Sequence, residues 1–409
     1  MHAKTTLNRE TILFPLAFVL FEFSVYICND LVQPAMLTIT REYGVGSEWA
    51  ASSMSFFLLG GACLAWFLGP LSDRLGRKKV LLAGVLFFVL CCLAILWTQT
   101  IEQFLLLRFL QGIGLTMVSA VGYAAIQESF AERDGIKVMA LMANISLIAP
   151  LLGPVLGAFM IEHVSWHWGF IGIAVLAALS WLGLKLKMPD PHISIARQPI
   201  SYVWDDFKAV FSNRVFLGIS MAIPLVSLPL ILWIAMSPII LVEQLGLSNL
   251  QYGLAQVPVL GGLILGNLML IRVIDRMAVG QTVLFSLPLM LLGAALVCVG
   301  LIWQEHVLWS LILGMTLISF GEGCSFSVLY RFSLDSCEVS KGTVAAAVGM
   351  IMMVSFFVII ELVRIGYESQ GYIAYALACL ILLSLWFVYP RRVVKKLMQQ
   401  RAEVAYTAS

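Results

Sequence analysis

The sequence predicts an all-α membrane protein of about twelve transmembrane helices in two six-helix bundles. Composition is the first reason: 61% of the 409 residues are hydrophobic and only 12% are charged, whereas soluble domains carry about a quarter charged residues. Length is the second, since apolar stretches of about 20 residues recur along the whole chain, each able to cross a ~30 Å hydrocarbon layer as a helix. The third is a single extended polar segment in the interior, which leaves six such stretches before it and six after.

Lipid offers backbone groups no partner, so the spans must be helices; the strand-like alternation of an outer-membrane barrel is absent. Hydropathy places them near 12–36, 50–70, 80–98, 102–127, 138–162 and 166–186, then 215–242, 252–274, 281–302, 307–330, 342–364 and 371–389. The predicted organisation is an N-terminal bundle over 1–187, a cytoplasmic linker over 188–214 and a C-terminal bundle with a cytoplasmic tail over 215–409. Lys4 and Arg9 precede a long apolar run with no small-residue cleavage site, which reads as a retained first helix. Cationic residues gather on one side: Arg74, Arg77, Lys78, Lys79, Arg133, Lys137, Arg272, Arg276, Arg331, Lys341 and the tail Arg391, Arg392, Lys395 and Lys396. Opposite them lie little beyond Arg41 and Arg364, with Glu102, Glu162, Glu243, Glu305 and Glu368. By the positive-inside rule, both termini and the linker face the cytoplasm of a bacterial inner membrane.

Several functions are excluded at this stage. A net charge of +2 with dispersed cations argues against a nucleic-acid partner. Eight cysteines show no Cys-x-x-Cys spacing and read as small packing residues, so no metal site is expected. Four of the five histidines (His163, His167, His192, His306) fall in loops or at helix ends and the fifth is His2; neither a nucleophile with a base nor a metal set can be assembled, so the chain is not expected to be an enzyme.

The loop after the second span reads Gly69-Pro70-Leu71-Ser72-Asp73-Arg74-Leu75-Gly76-Arg77-Lys78-Lys79. Glycines let the chain turn beside a helix end, and an acid among cations can form a breakable latch between helices. This pattern resembles the signature loop of the major facilitator superfamily, which implies that superfamily's fold. A degraded echo, from Gly266 to Arg276 with Asp275, stands at the equivalent place in the second half.

In the fourth span, Arg108 sits inside an apolar helix. An uncompensated cation at depth costs about 3 kcal/mol, so it should face a polar interior and have a partner. It also matches the superfamily's fourth-helix motif, associated with proton coupling. The fifth span carries Ala149, Gly153 and Gly157 at four-residue spacing, a smooth face for close helix approach, with Pro154 removing a backbone donor. That segment resembles the motif of the superfamily's drug:proton antiporters and favours export over uptake.

The first span is the most informative. At about 100° per residue, Glu22, Tyr26, Asn29 and Gln33 share one stripe, with Asp30 at its edge. Two carboxylates about 12 Å apart in a low-dielectric site are disfavoured in their charged form and can exchange protons near neutral pH. Glu22 is the candidate for drug contact and Asp30 for proton exchange. The second half adds Glu322, flanked by Gly321 and Gly323, as a second proton site or an attractor of cationic substrate, and Glu361 near the outer end of the eleventh span. Glu128, Asp335 and Glu338 read as gating or surface charges. Met142, Tyr252, Met352, Met353, Phe356 and Phe357 supply adaptable apolar walls.

Stretches including Tyr26-Ile27-Cys28-Asn29-Asp30, Gly122 to Phe130, Leu141-Met142-Ala143-Asn144, Gln256-Val257-Pro258 and Ser340 to Val344 resemble the MdfA-type multidrug:proton antiporters over nearly the whole chain. The resemblance implies drug contact by Glu22, Tyr26, Asn29, Asp30, Leu115, Met142, Pro150, Leu230, Ile231, Tyr252, Gln256, Met353 and Phe356. It implies proton exchange by Glu22 and Asp30, with Arg108 and Asp73 in the conformational switch. To the switch also belong Gly69, Arg74, Gly76, Arg77, Gly153, Pro154 and Gly157. Glu322 departs from that type, which has an apolar residue there, and it joins both the proton-coupling and the substrate-binding candidates. The expected activity is alternating-access export of small lipophilic drugs, chloramphenicol-like or cationic, against protons. No cofactor other than the coupling proton is expected, and the chain should act as a monomer in the lipid bilayer. An uptake symporter for a small metabolite and a lipid exporter are the competing readings.

Overall fold

The computed structural model describes residues 11–130, 132–189, 200–273, 276–278, 280–300, 302–337, 339 and 341–408. Asp275 and Glu338 lie outside the described residues, as do Lys4, Arg9 and residues 190–199 of the polar segment.

In chain order the spanning helices are α1 (Leu13–Asp30), α2 (Ala50–Cys63), α3 (Arg77–Ala94), α4 (Ile101–Thr116), α5 (Glu132–His163) and α6 (His167–Lys187). The second set is α7 (Ala222–Ser237), α8 (Asn249–Val273), α9 (Gln281–Val299), α10 (Val307–Leu334), α11 (Lys341–Gln370) and α12 (Tyr372–Ala408). Ten of these, taken with their continuations, are long and apolar enough to cross a bilayer. Another is the bent pair formed by α2 and Ala65–Leu75, and the last is the 32-residue α5. Leu106, Leu179, Leu265, Ile381 and Leu385 are more than half exposed, as lipid-facing side chains should be.

Three elements differ from the sequence reading. The first span is not one rod: α1 ends at Asp30, a tight turn carries Gln33–Ala35 with Pro34 inside it, and helix resumes over Met36–Glu42. A proline that cannot donate and fixes its own φ suits such a restart. The second span, expected straight over 50–70, bends by 47° at Leu64 and continues to Leu75. The interior polar segment is not wholly irregular, since Ile200–Ser212 is helical and Arg214–Ser220 follows at once. Asn213 separates these two by accepting the N–H groups of Val215 and Phe216 at 2.9 and 3.0 Å, an N-cap that starts the second helix. Two further helices, α4 and α7, widen into π-type turns at Met117–Gly122 and Pro238–Gln244.

The chain divides into two compact units, Met1–Asp206 and Phe207–Ser409. Each repeats the same pairings: α2 against α4, α1 against α6 and α3 against α6 in the first, and α8 against α10, α7 against α12 and α9 against α12 in the second. Glycine makes the closest crossings possible. Cβ atoms at Gly60 and Gly112 would meet the backbone of Phe109 and Phe57, and at Gly266 and Gly323 the backbone of Phe320 and Leu263. The predicted smooth face of α5 is used against α1: Gly153 abuts the Cβ of Asp30, and Gly157 the carbonyl of Leu31.

Filling such a contact should be costly. Gly157→Val drives a side chain into the Leu31 backbone and should destabilise the fold by about 1–3 kcal/mol, read as a lowered thermal midpoint of the detergent-purified protein. Gly172 has open space at its Cβ, and Gly172→Ala should leave that midpoint in place.

Candidate functional site

The site builds up from Arg108. Its side chain is fully buried on α4, where helix geometry places Gln111 one turn further along the same face. Gln111 Oε1 accepts from Nη1 at 2.8 Å. Ser53 on α2 accepts from Nε at 3.0 Å, and Asn29 on α1 accepts from Nη2 at 3.2 Å. Nη1 also lies 3.3 Å from Cys28 Sγ and 3.5 Å from the Cys28 carbonyl, and the guanidinium carbon sits 4.6 Å from the centroid of Phe57. None of the described ion pairs involves Arg108. Asp30 is linked to it through a neutral amide, since Asn29 Nδ2 donates to Asp30 Oδ1 at 3.1 Å. The cation therefore satisfies its donors with neutral acceptors, and Asp30 stands second in line.

Glu22, two turns earlier on α1, is fully buried, and Tyr123 donates to its Oε1 at 2.8 Å. Tyr123 follows directly on the π-type turn of α4, and that turn sets where its hydroxyl reaches. Tyr26 is partly buried on the same stripe, and Gln33 is fully buried with neither amide atom hydrogen-bonded among the described residues. Among the remaining first-unit candidates Leu115 and Met142 are buried and Pro150 is partly exposed. Asp30 also packs on Gly153, so the proton candidate and the small-residue face of α5 touch directly.

In the loop after the second span, Gly76 has φ +96°, a left-handed conformation that glycine adopts freely and that lets the chain turn between Leu75 and Arg77. Arg77 reaches back to pair with Asp73 and sideways to grip Glu128 through two bonds, Nη2 at 2.8 Å and Nε at 3.2 Å. It further donates to Ser72 Oγ at 2.6 Å. Gly69 lends its carbonyl at 3.5 Å, whereas Arg74 is exposed. Glu128, read from the sequence as gating or surface charge, is thus half of a bidentate pair joining the loop to the end of the fourth span. Lys78 donates to the carbonyl of Met188 at 2.7 Å.

The second unit holds its own group. Gln256 on α8 is buried; its Oε1 accepts from Trp233 Nε1 at 2.6 Å and its Nε2 donates to Ser237 at 3.1 Å. Tyr252, one turn away, is fully buried. Glu322 on α10 is 7% exposed, with Ser227 of α7 beside it, and its Oε2 has no hydrogen-bond partner among the described residues. Leu230 and Ile231 lie one turn beyond Ser227 on the same face of α7. Phe356 is buried and Met353 partly so. Towards the C-terminal end of α11, Glu361 and Glu368 both bind Arg364, at 2.8 and 2.7 Å. Asp335 is held by Arg331 and Lys341 at 2.9 and 3.2 Å.

Sequence reasoning found the charged members of these groups and some neutral ones, Asn29 and Gln256 among them, but gave no role to Cys28, Ser53, Gln111 and Tyr123 in the first unit or to Ser227, Trp233 and Ser237 in the second. The one available signal lay at Gln111, i+3 from an intramembrane arginine.

A family model described as Major Facilitator Superfamily matches residues 18–360. Chloramphenicol resistance protein CraA of Acinetobacter baumannii is 65% identical over 397 residues, covering 97% of this chain and 96% of the relative. Multidrug transporter MdfA of Yersinia pestis is 45% identical, covering 95% of this chain and 96% of its own length, and the MdfA of Escherichia coli O157:H7 is 45% identical over 89% of each. Among solved structures, a D-xylose-proton symporter superposes with a TM-score of 0.71 over 93% of this chain and 97% of its own, at 14% identity, a likeness that speaks for the fold alone. With a matching family model over most of its length, relatives of this identity and a glycine-packed twelve-helix architecture, the chain belongs to the major facilitator superfamily.

Proposed function

We propose that the chain exports small lipophilic drugs, chloramphenicol among them, across a bacterial inner membrane in exchange for protons, with both termini cytoplasmic. The observation that carries this reading is the buried line Arg108–Asn29–Asp30, a cation and an acid joined through a neutral amide in a helix that also bears Glu22. The names of the relatives, a chloramphenicol resistance protein and multidrug transporters, support the drug as cargo.

The residues suggest how exchange works. A proton arriving at Asp30 removes the charge that Asn29 and Arg108 face. Asn29 can then turn its amide elsewhere, and the backbone of α1 at Asp30, pressed on Gly153, passes the change to α5 next to Pro150 and Pro154, where proline has already removed backbone donors. Drug and proton thereby oppose one another: the loaded acid weakens drug binding and the emptied acid restores it. The hold on neutral drugs comes from shape and from amide and hydroxyl groups such as Asn29, Tyr26 and Tyr123. Cationic drugs gain from Glu22 and, in the second half, from Glu322, whose Oε2 has a lone pair to offer. Leu115, Met142, Leu230, Ile231, Tyr252, Met353 and Phe356 supply the apolar walls. The Arg77–Glu128 pair acts as the cytoplasmic latch, with Asp73 as its second anchor.

Three outcomes test this. Asp30→Asn should abolish proton-driven drug uptake into everted vesicles while leaving equilibrium binding of chloramphenicol measurable; coupling at the wild-type rate would sink the assignment. Glu22→Gln and Glu322→Gln should each weaken binding of a lipophilic cation such as ethidium by roughly tenfold, the loss of about 1.4 kcal/mol of charge attraction, with a much smaller change for chloramphenicol. Glu128→Gln should lower turnover more than affinity, seen as a fall in transport rate at saturating drug with little shift in half-saturation.

A further inference from the structure

Beside the guanidinium of Arg108 lies a pair of thiols that the proton line does not use. Cys28 on α1 and Cys92 on α3 are both fully buried, and both are free thiols. One amide bridges them: Cys28 Sγ donates to Gln111 Oε1 at 3.6 Å, and Gln111 Nε2 donates to Cys92 Sγ at 3.5 Å. Phe21 and Phe88, at 5.8 Å between ring centroids, pack α1 on α3 a turn or two before the thiols and hold them in register. The Arg108 guanidinium lies 3.3 Å from the Cys28 sulfur, so the dithiol pair adjoins the buried cation. Two sulfurs on different helices, with an amide between them and no carboxylate among their hydrogen-bond partners in the described residues, make a donor set suited to a soft, thiol-seeking centre rather than to a hard cation.

We propose that Cys28 and Cys92 form a dithiol site for monosubstituted trivalent arsenic and that its occupation stops transport. The chemistry balances without an oxidant. An arsenic(III) oxide R–As=O forms two As–S bonds, one to each sulfur; its oxygen leaves as water with the two thiol protons, and arsenic stays trivalent. The product staples α1 to α3 next to Arg108 and takes from Nη1 the sulfur it now touches, so the arginine line is held in one arrangement.

The transport arm rests on the exporter reading above; the mapping arm does not. Vesicles carrying the full chain are treated with phenylarsine oxide under turnover, and each variant is scored against its own untreated rate. The unaltered chain should lose transport and regain it with 2,3-dimercaptopropanol but not with a monothiol. Cys92→Ser should need a roughly tenfold higher dose for the same fractional loss, whereas Cys298→Ser should respond like the unaltered chain. Peptide mapping should find one phenylarsenic group joining the Cys28 and Cys92 peptides. Equal sensitivity in Cys92→Ser, or a label that joins Cys298 to Cys379 or rests on a single thiol, would overturn the site. A joined Cys28–Cys92 label in a chain that moves no drug would leave the site standing and remove the exporter reading.

Discussion

A charged guanidinium that cannot reach water is the constraint around which the first half is organised. Arg108 is held by a hydroxyl, two amides, a sulfur, a main-chain carbonyl and the face of a ring, and each comes from a helix that must lie where it does for the bond to form. Removing one partner of a buried ion pair strands the other at a cost of about 3–5 kcal/mol. A cation resting on neutral acceptors escapes that penalty when a nearby acid changes charge. In the exchange proposed above, Asp30 would gain or lose a proton while Arg108 keeps its ligands, and the change would be a shift in preference among arrangements rather than a rupture.

The two halves share a framework and differ in where they keep their charge. In both, glycines bring one pair of helices into backbone contact. The first then spends its interior on Glu22, Asp30 and Arg108. The second has a neutral chain of Trp233, Gln256 and Ser237 and a single deeply placed acid, Glu322. Among the described residues, the buried ionisable side chains are thus more numerous in the first unit than in the interior of the second.

Much of this was legible in the sequence, because the features concerned are local. Span length, the loop from Gly69 to Lys79, the four-residue spacing of Ala149, Gly153 and Gly157, and the stripe on α1 can each be read within a dozen residues or so. What could not be read is long-range: Ser53 meets Arg108 across 55 positions, Cys28 across 80, and Tyr123 meets Glu22 across 101. A periodicity argument can say that Arg108 needs partners but has no means of naming neutral ones elsewhere in the chain. The bend at Leu64 was hidden by unbroken hydropathy, which is blind to a helix changing direction. The helix Ile200–Ser212 is a different kind of miss, because Val203, Phe207, Val210 and Phe211 already carry three- and four-residue spacing. Attention to the charges around them obscured it.

Consider finally the crossings made through Gly60, Gly112, Gly266 and Gly323. They are contacts of main chain with main chain, so their geometry is indifferent to most of the side chains that face elsewhere on the same helices. Wall residues can be exchanged one at a time without disturbing the scaffold that carries them. Sequence change in a lineage bearing this architecture should therefore fall on the side chains that face elsewhere, while the glycines at the crossings tolerate almost none.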